Sequence, residues 1–123
     1  MNKKTINVLL ITIISICLIL GIYFLVNKNT QSDYIEYHFR NEELLVQHFE
    51  KHGIEMGFKS KEEYEKAASN VANNSDALHK KEKEDNDDIY YIEETNDFVV
   101  ISYDGFIRTY FRPNSGIKYY NKQ

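Results

Sequence analysis

Residues 98–112 read Phe-Val-Val-Ile-Ser-Tyr-Asp-Gly-Phe-Ile-Arg-Thr-Tyr-Phe-Arg, two runs of strand-forming residues around one Asp-Gly pair. Asp-Gly between such runs is typical of a two-residue type I′ turn that joins antiparallel strands. A turn of this kind places Ile101 opposite Arg108 and Val99 opposite Tyr110. The stretch therefore predicts a β-hairpin that reverses at positions 104–105.

The alternation of side chains along a strand assigns a face to each residue of the second run. Arg108, Tyr110 and Arg112 are expected on one face, which would form an open polar and aromatic surface. Ile107, Thr109 and Phe111 are expected on the other face, against helices. The candidate functional surface is thus the face that carries the two arginines.

Two further runs rich in β-branched and aromatic residues, 89–93 and 117–120, complete a predicted four-stranded antiparallel meander. The highly polar run 79–88 is expected to be a solvated loop or an exposed edge strand. The sheet is therefore expected to be built from the last third of the chain.

Helices are predicted upstream of the sheet. Asn41 and Ser60 are each followed by acidic residues in the next turn, as at helix N-termini. Gly53 is expected to end the first helix as a C′ residue. We therefore predict an α+β domain with two or three helices packed on one side of the sheet.

The N-terminal segment is uncharged from residue 6 to residue 26. At about 1.5 Å per residue, a helix of this length spans the roughly 30 Å hydrocarbon core of a membrane. A cleaved signal peptide is the alternative, but its apolar region is shorter and ends at small residues. An uncleaved transmembrane helix is therefore favoured, with an anchor at 1–28, a linker at 29–37 and a folded domain at 38–123.

Charges on either side of this helix indicate its orientation. Lys3 and Lys4 precede it, and Lys28 with acidic residues follows it. By the positive-inside rule, this favours a cytoplasmic N-terminus and an external C-terminal domain. We therefore expect a single-pass protein of the cell membrane. No oligomer is implied by the sequence.

The charge of the C-terminal domain is negative overall but unevenly distributed. Thirteen of the 15 Lys and Arg lie in residues 28–123 together with all 19 Asp and Glu, a net charge of −6. Such a charge is unusual for a protein that binds long nucleic acids. Residues 105–123 nevertheless hold Arg108, Arg112, Lys118 and Lys122 and no carboxylate, which is compatible with binding a phosphate group.

Two histidines, His48 and His52, are one helical turn apart. They could be ordinary surface residues, they could transfer protons in a general acid/base reaction, or they could hold zinc. The metalloprotease motif H-E-x-x-H is absent, and a zinc site would need a third ligand such as His38 or His79. Local spacing alone leaves the three interpretations open.

The phosphate-binding candidates are Arg108, Arg112, Lys118 and, beside the histidines, Lys51. Planar guanidinium groups bind phosphate through two parallel hydrogen bonds. Two imidazoles, one as base and one as acid, together with an arginine would suffice for RNA cleavage in which the 2′-hydroxyl attacks the adjacent phosphorus. That reaction needs no metal or cofactor.

Four motifs give the chain a family resemblance. They are His-Phe-Glu-Lys-His-Gly at 48–53, Glu-Met-Gly-Phe at 55–58, Ser-Lys-Glu-Glu-Tyr at 60–64, and Asp-Gly-Phe-Ile-Arg-Thr-Tyr-Phe-Arg-Pro at 104–113. In this order they resemble the C-terminal toxin domains of the barnase–EndoU–colicin–RelE-like ribonuclease superfamily of bacteria. The resemblance covers about residues 38–120, and the last motif is the most specific.

The resemblance implies N-terminal helices on a four-stranded antiparallel sheet with the active site on the open face. It implies that His48 or His52 is the general base or acid and that Arg108 stabilises the phosphate. Thr109 and Tyr110 would shape the site, and a dedicated immunity protein would be the partner. The alternative is a surface-exposed binding module of the same fold that cleaves nothing.

Overall fold

The computed structural model describes residues 1–28 and 33–123, which form two compact units, Met1–Tyr34 and Ile35–Gln123. The first unit is the helix α1, Lys3–Lys28. Its span Lys3–Asn27 is long and apolar enough to cross a membrane, and none of it is buried within the protein. The prediction of a long apolar N-terminal helix is confirmed.

The second unit begins earlier than the sequence predicted. Residues 29–32 of the expected linker lie outside the described residues, but its last part belongs to the domain. The backbone N–H of Ile35 donates to Asn73, and that of Tyr37 donates to the Ser69 hydroxyl. The side chains of Ser69 and Asn73 therefore fix this segment, a contact that no local sequence pattern indicates.

Helix α2, Glu42–His48, continues into a π-helical turn, Phe49–Gly53, and helix α3 spans Lys61–Ala72. Both predicted N-caps are confirmed. The Asn41 side chain accepts from the N–H of Leu44, and the Ser60 hydroxyl accepts from that of Glu63. Each cap satisfies a backbone donor that the first helical turn cannot pair.

The expected role of Gly53 is wrong. Gly53 does not have a positive φ, and Gly57, with φ of 92°, is the left-handed residue of this region. Gly53 is needed for packing, because a Cβ there would lie 2.5 Å from the Phe49 ring and 3.0 Å from the Tyr64 ring. The glycine lets the π-helical turn approach α3.

Gly53→Ala is expected to lower the free energy of unfolding by about 1–3 kcal/mol, the usual cost of overpacking a close contact. Gly21→Ala in α1 is the control, because a Cβ at Gly21 meets no atom within 4 Å. Urea unfolding of the full chain in detergent micelles measures both. Equal stability of the two variants would show that the close approach at Gly53 relaxes at no cost.

The sheet contains four antiparallel strands in sequential order: β1 Leu78–Lys81, β2 Asp88–Ile92, β3 Asp97–Ile101 and β4 Ile107–Phe111. The predicted α+β class and the four-stranded antiparallel meander are confirmed. The polar run 79–88 supplies the edge strand β1, one of the two alternatives predicted for it.

The predicted last strand, 117–120, is instead the helix α4, Ile117–Lys122. Gly116, with φ of 57°, turns the chain after β4. Ile117 and Tyr120 are three residues apart and both pack on the sheet, a helical rather than a strand spacing. Their strand-forming residue types serve burial here and not β pairing.

The β3–β4 hairpin differs from the predicted one in its turn and its register. The turn is a three-residue loop, 103–105, in which only Gly105 has a positive φ, whereas a type I′ turn requires two such residues. Val99 pairs with Tyr110 as predicted, but Ile101 pairs with Ile107 because of a bulge. Arg108 is the extra residue of this bulge.

Helices cover both faces of the sheet, whereas the sequence predicted them on one side, and the bulge moves Ile107 from the predicted face of Thr109 to that of Tyr110. Ile107 and Tyr110 both join the core with α2 and α3, and Tyr110 is only 1% exposed. The opposite face packs against α4 through Tyr120, with Phe98 and Phe111. The expectation that Tyr110 lies on an open surface is therefore wrong.

Candidate functional site

A cavity of about 470 Å³ lies at the end of α2, beside the β3–β4 hairpin. Of the residues predicted to form the site, it brings together two, His48 and Arg108. Its wall also contains polar and aromatic residues that sequence reasoning missed, Arg40, Asp85, Asp87, Tyr103, Asp104 and Phe106. This cavity is the candidate site.

Arg108 is held in the cavity wall by two carboxylates. Its Nη1 group donates to Asp85 at 3.1 Å and to Asp87 at 2.5 Å, and these bonds, that to Asp87 first, raise the pKa of Arg108. Its three N–H groups on Nε and Nη2 have no hydrogen-bond partner among residues 1–28 and 33–123. Arg108 is therefore oriented and still able to bind a phosphate group through two bonds.

The partner Asp87 is almost completely buried, at 2% exposure. One of its oxygens accepts from Arg108, and the other accepts from the backbone N–H of Tyr103 at 3.1 Å. A single buried carboxylate thus fixes the arginine and the turn of the β3–β4 hairpin relative to each other. The sequence offered no sign of this, because Asp87 is one of many acids in the run 79–88.

Arg40 supplies a second guanidinium. A backbone bond from Ile107 N to His38 O places the segment before α2 alongside β4. Arg40 then donates to Asp104 at 2.8 Å and lies 4.4 Å from the centre of the Phe106 ring. These contacts join residues more than sixty positions apart, which explains why no local motif marked Arg40.

His48 is the proton-transfer candidate of the cavity. Its ring lies tilted against that of Phe39 with centroids 5.1 Å apart, and its Nδ1 is buried with no hydrogen-bond partner in the described part of the chain. Burial, followed by the nearby His52 and Lys51, lowers the pKa of His48 below its usual 6.5. The imidazole is therefore mainly neutral at pH 7 and can accept a proton.

His52 lies in a second, smaller cleft of about 120 Å³ together with Arg112. Its ring stacks on Phe111 at 5.3 Å, and its centroid is 6.1 Å from that of His48. Burial and Lys51 lower its pKa, while Glu55 raises it. The two histidines are thus neighbours that line different clefts.

Other predicted residues have structural contacts or lie elsewhere. The Tyr110 hydroxyl donates to Asp97 at 3.0 Å, and Arg112 Nε donates to the same oxygen at 3.1 Å. Thr109 lines a separate cleft beside the Arg108–Asp87 pair. Lys51 is exposed on the π-helical turn and Lys118 is exposed on α4.

The histidines that a zinc site would need are paired with acids. His38 Nδ1 lies 3.0 Å from Glu65, and His79 Nε2 lies 2.6 Å from Asp88. Within residues 1–28 and 33–123, the one group of three potential ligands is Glu82, Asp85 and Asp87. Arg108 is bonded to two of these carboxylates, and no histidine belongs to the group.

Comparison of the chain with protein-family models gave no match, and comparison with curated protein sequences gave none. The resemblance to the ribonuclease toxins therefore rests on the four sequence motifs.

Proposed function

We propose that residues 35–123 form a ribonuclease domain that cleaves RNA without a metal, with α1 as its membrane anchor. The observation that carries this proposal is the shared cavity of His48 and Arg108. A neutral imidazole supplies a proton acceptor, and the Arg108 N–H groups that have no partner among the described residues supply hydrogen-bond donors for a phosphate group. The volume of the cavity, about 470 Å³, is in the range of cavities that hold small ligands.

The reaction uses few groups. Nε2 of His48 takes the proton of the 2′-hydroxyl, and the resulting oxygen attacks the adjacent phosphorus. Arg108 donates hydrogen bonds to the phosphoryl oxygens as negative charge builds on them. The bond to the 5′-oxygen breaks as that oxygen takes a proton from water in the open cavity, and His48 returns its proton to the resulting hydroxide. The other product ends in a 2′,3′-cyclic phosphate.

The wider setting is also proposed from the sequence. Lys3 and Lys4 before α1 favour a cytoplasmic N-terminus and an external domain at the cell membrane. The motif at 104–113 supports a toxin-type activity, for which an immunity protein would be the natural partner. An inhibitor of this kind would need to cover the cavity of His48 and Arg108.

The decisive experiment is cleavage of a labelled single-stranded RNA by the full chain in detergent micelles with EDTA present. Arg108→Ala is expected to slow cleavage by roughly 10²–10³-fold, the usual effect of losing one donor to a developing charge. Arg112→Ala is the matched control, because Arg112 directly follows the same strand but bonds to Asp97 outside this cavity. Equal losses in both variants would contradict the assignment of Arg108.

A binding module without activity is the second candidate, and the charges of the cavity favour it. Two arginines face three aspartates, Asp85, Asp87 and Asp104, so that the carboxylates offset the attraction for a polyanion. A folded full chain that cleaves no RNA in either EDTA or added divalent metal would support this candidate. Cleavage that EDTA abolishes would contradict the metal-free mechanism.

A further inference from the structure

We infer that Tyr103 is a stacking platform for a nucleobase, so that the substrate of the cavity is single-stranded RNA. This inference rests on the proposed function and extends it to the class of substrate. It is carried by the position of Tyr103, its exposure and the way its backbone is fixed.

Tyr103 lies at the tip of the β3–β4 hairpin and lines the cavity, yet its side chain is 75% exposed. It is the most exposed aromatic residue of the described part of the second unit. A tyrosine ring has a large apolar face that gains free energy when another flat ring covers it. Arg108 in the same cavity can bind a phosphate group. A nucleobase, which is attached to phosphate through its sugar, is therefore the flat ring expected to cover Tyr103.

The turn that carries Tyr103 is held in place. Its backbone N–H donates to Asp87, Ser102 N donates to Phe106 O, and Gly105 N donates to Ser102 O. The ring is therefore presented by an ordered backbone, which reduces the conformational entropy lost on binding.

Asp87 links Tyr103 to Arg108, the residue proposed to bind phosphate. Its two oxygens bond to the Tyr103 backbone and to Arg108, so one buried carboxylate holds the backbone of the platform residue and the guanidinium next to each other. Arg40, held by Asp104 and Phe106, offers a second guanidinium on the same wall. A base on Tyr103 with phosphates at Arg108 and Arg40 describes one strand of nucleic acid.

A duplex fits this arrangement poorly. Its bases are stacked on each other and cannot cover an external ring, whereas single-stranded bases stack readily on aromatic side chains. Two arginines also make few phosphate contacts. For a single strand, they predict a slope of roughly −1.4 for log affinity against log salt concentration.

The test is binding to the full native chain in detergent micelles. The probe is a fluorescent 2′-O-methyl RNA oligonucleotide, alone or annealed to its complement, because the blocked 2′-oxygen prevents cleavage. Tyr103→Ala is expected to weaken binding of the single strand by roughly 5- to 150-fold, whereas Tyr103→Phe keeps the ring and most of the affinity. The duplex is expected to bind more weakly than the single strand and to be insensitive to either variant.

The outcomes separate this inference from the proposed function. Equal affinity of native chain and Tyr103→Ala for the single strand, tighter binding of the duplex, or no binding at all would overturn the platform. Ring-dependent binding of the single strand without cleavage of ordinary RNA would support the platform and contradict the ribonuclease. If Arg108→Ala abolishes cleavage while Tyr103→Ala leaves the affinity for the single strand unchanged, the result would support the ribonuclease and contradict the platform.

Discussion

His48→Ala is expected to slow RNA cleavage by about 10²–10⁴-fold, the usual contribution of a positioned general base. His48 is the one histidine that lines the same cavity as Arg108. Alanine removes this imidazole, and the carboxylates that remain in the cavity wall, Asp85, Asp87 and Asp104, are paired with Arg108 and Arg40. The measurement is kcat/KM of the full chain in EDTA, with near-ultraviolet circular dichroism to show that the variant is folded.

The pH dependence of the native chain gives a second test of the same residue. A general base works only when it is unprotonated, so kcat/KM should rise with pH through the pKa of His48 and then level off. Burial lowers that pKa below 6.5, and the plateau should therefore be reached at a lower pH than for an exposed histidine. A rise centred above pH 7 would contradict His48 as the base.

His52→Ala is the matched control for His48→Ala. Both residues are histidines with lowered pKa, one turn apart on the same helical segment, but His52 stacks on Phe111 in the smaller cleft. We expect His52→Ala to keep most of the cleavage activity. A loss as large as that of His48→Ala would instead support a pair of imidazoles acting together.

Local signals in the sequence predicted the elements well. The caps at Asn41 and Ser60 act within one helical turn, and the apolar run of α1 depends only on composition and length. The meander followed from short connections between strand-forming runs. Each of these features is decided by residues a few positions apart, which is why a sequence reports them.

Tertiary contacts decided the features that the sequence did not predict. One bulge residue at Arg108 moved Ile107 to the face of Tyr110, because side chains alternate along a strand and an extra residue reverses that alternation on one side of it. Tyr119 and Tyr120 are of a residue type common in strands, but in the structure they belong to a helix that packs on the sheet. Amphipathic and aromatic residue types fit either structure, and the packing partner determines which one forms.

The candidate site shows the same division. The sequence identified His48 and Arg108 through their motifs, since both lie within short words of characteristic residues. It did not identify Asp87 or Arg40, which reach the cavity through contacts across the fold. The residues that orient the site can be recognised only from their contacts in the fold, because charged residues are too common in this chain for any one of them to stand out in the sequence.

Tyr64→Ala is expected to have the largest effect on stability, lowering the free energy of unfolding by about 3–5 kcal/mol. Tyr64 is fully buried, and its ring lies 5.0 Å from that of Tyr110 and 6.0 Å from that of Phe39, centre to centre. It joins α3 to the sheet and to the segment that carries Arg40. Alanine would leave a large cavity at the point where these elements meet.

Tyr64→Phe separates packing from hydrogen bonding. The Tyr64 hydroxyl donates to the backbone oxygen of Tyr110 in the edge strand β4. Phenylalanine keeps the ring but leaves that buried acceptor unpaired, for an expected loss of about 1–3 kcal/mol. Urea unfolding of the full chain in micelles measures both variants, and a Tyr64→Ala loss no greater than that of Tyr64→Phe would contradict the packing role of the ring. Because the same ring supports Phe39, whose other neighbour is His48, loss of packing at Tyr64 should also reduce cleavage at temperatures where the variant is still folded.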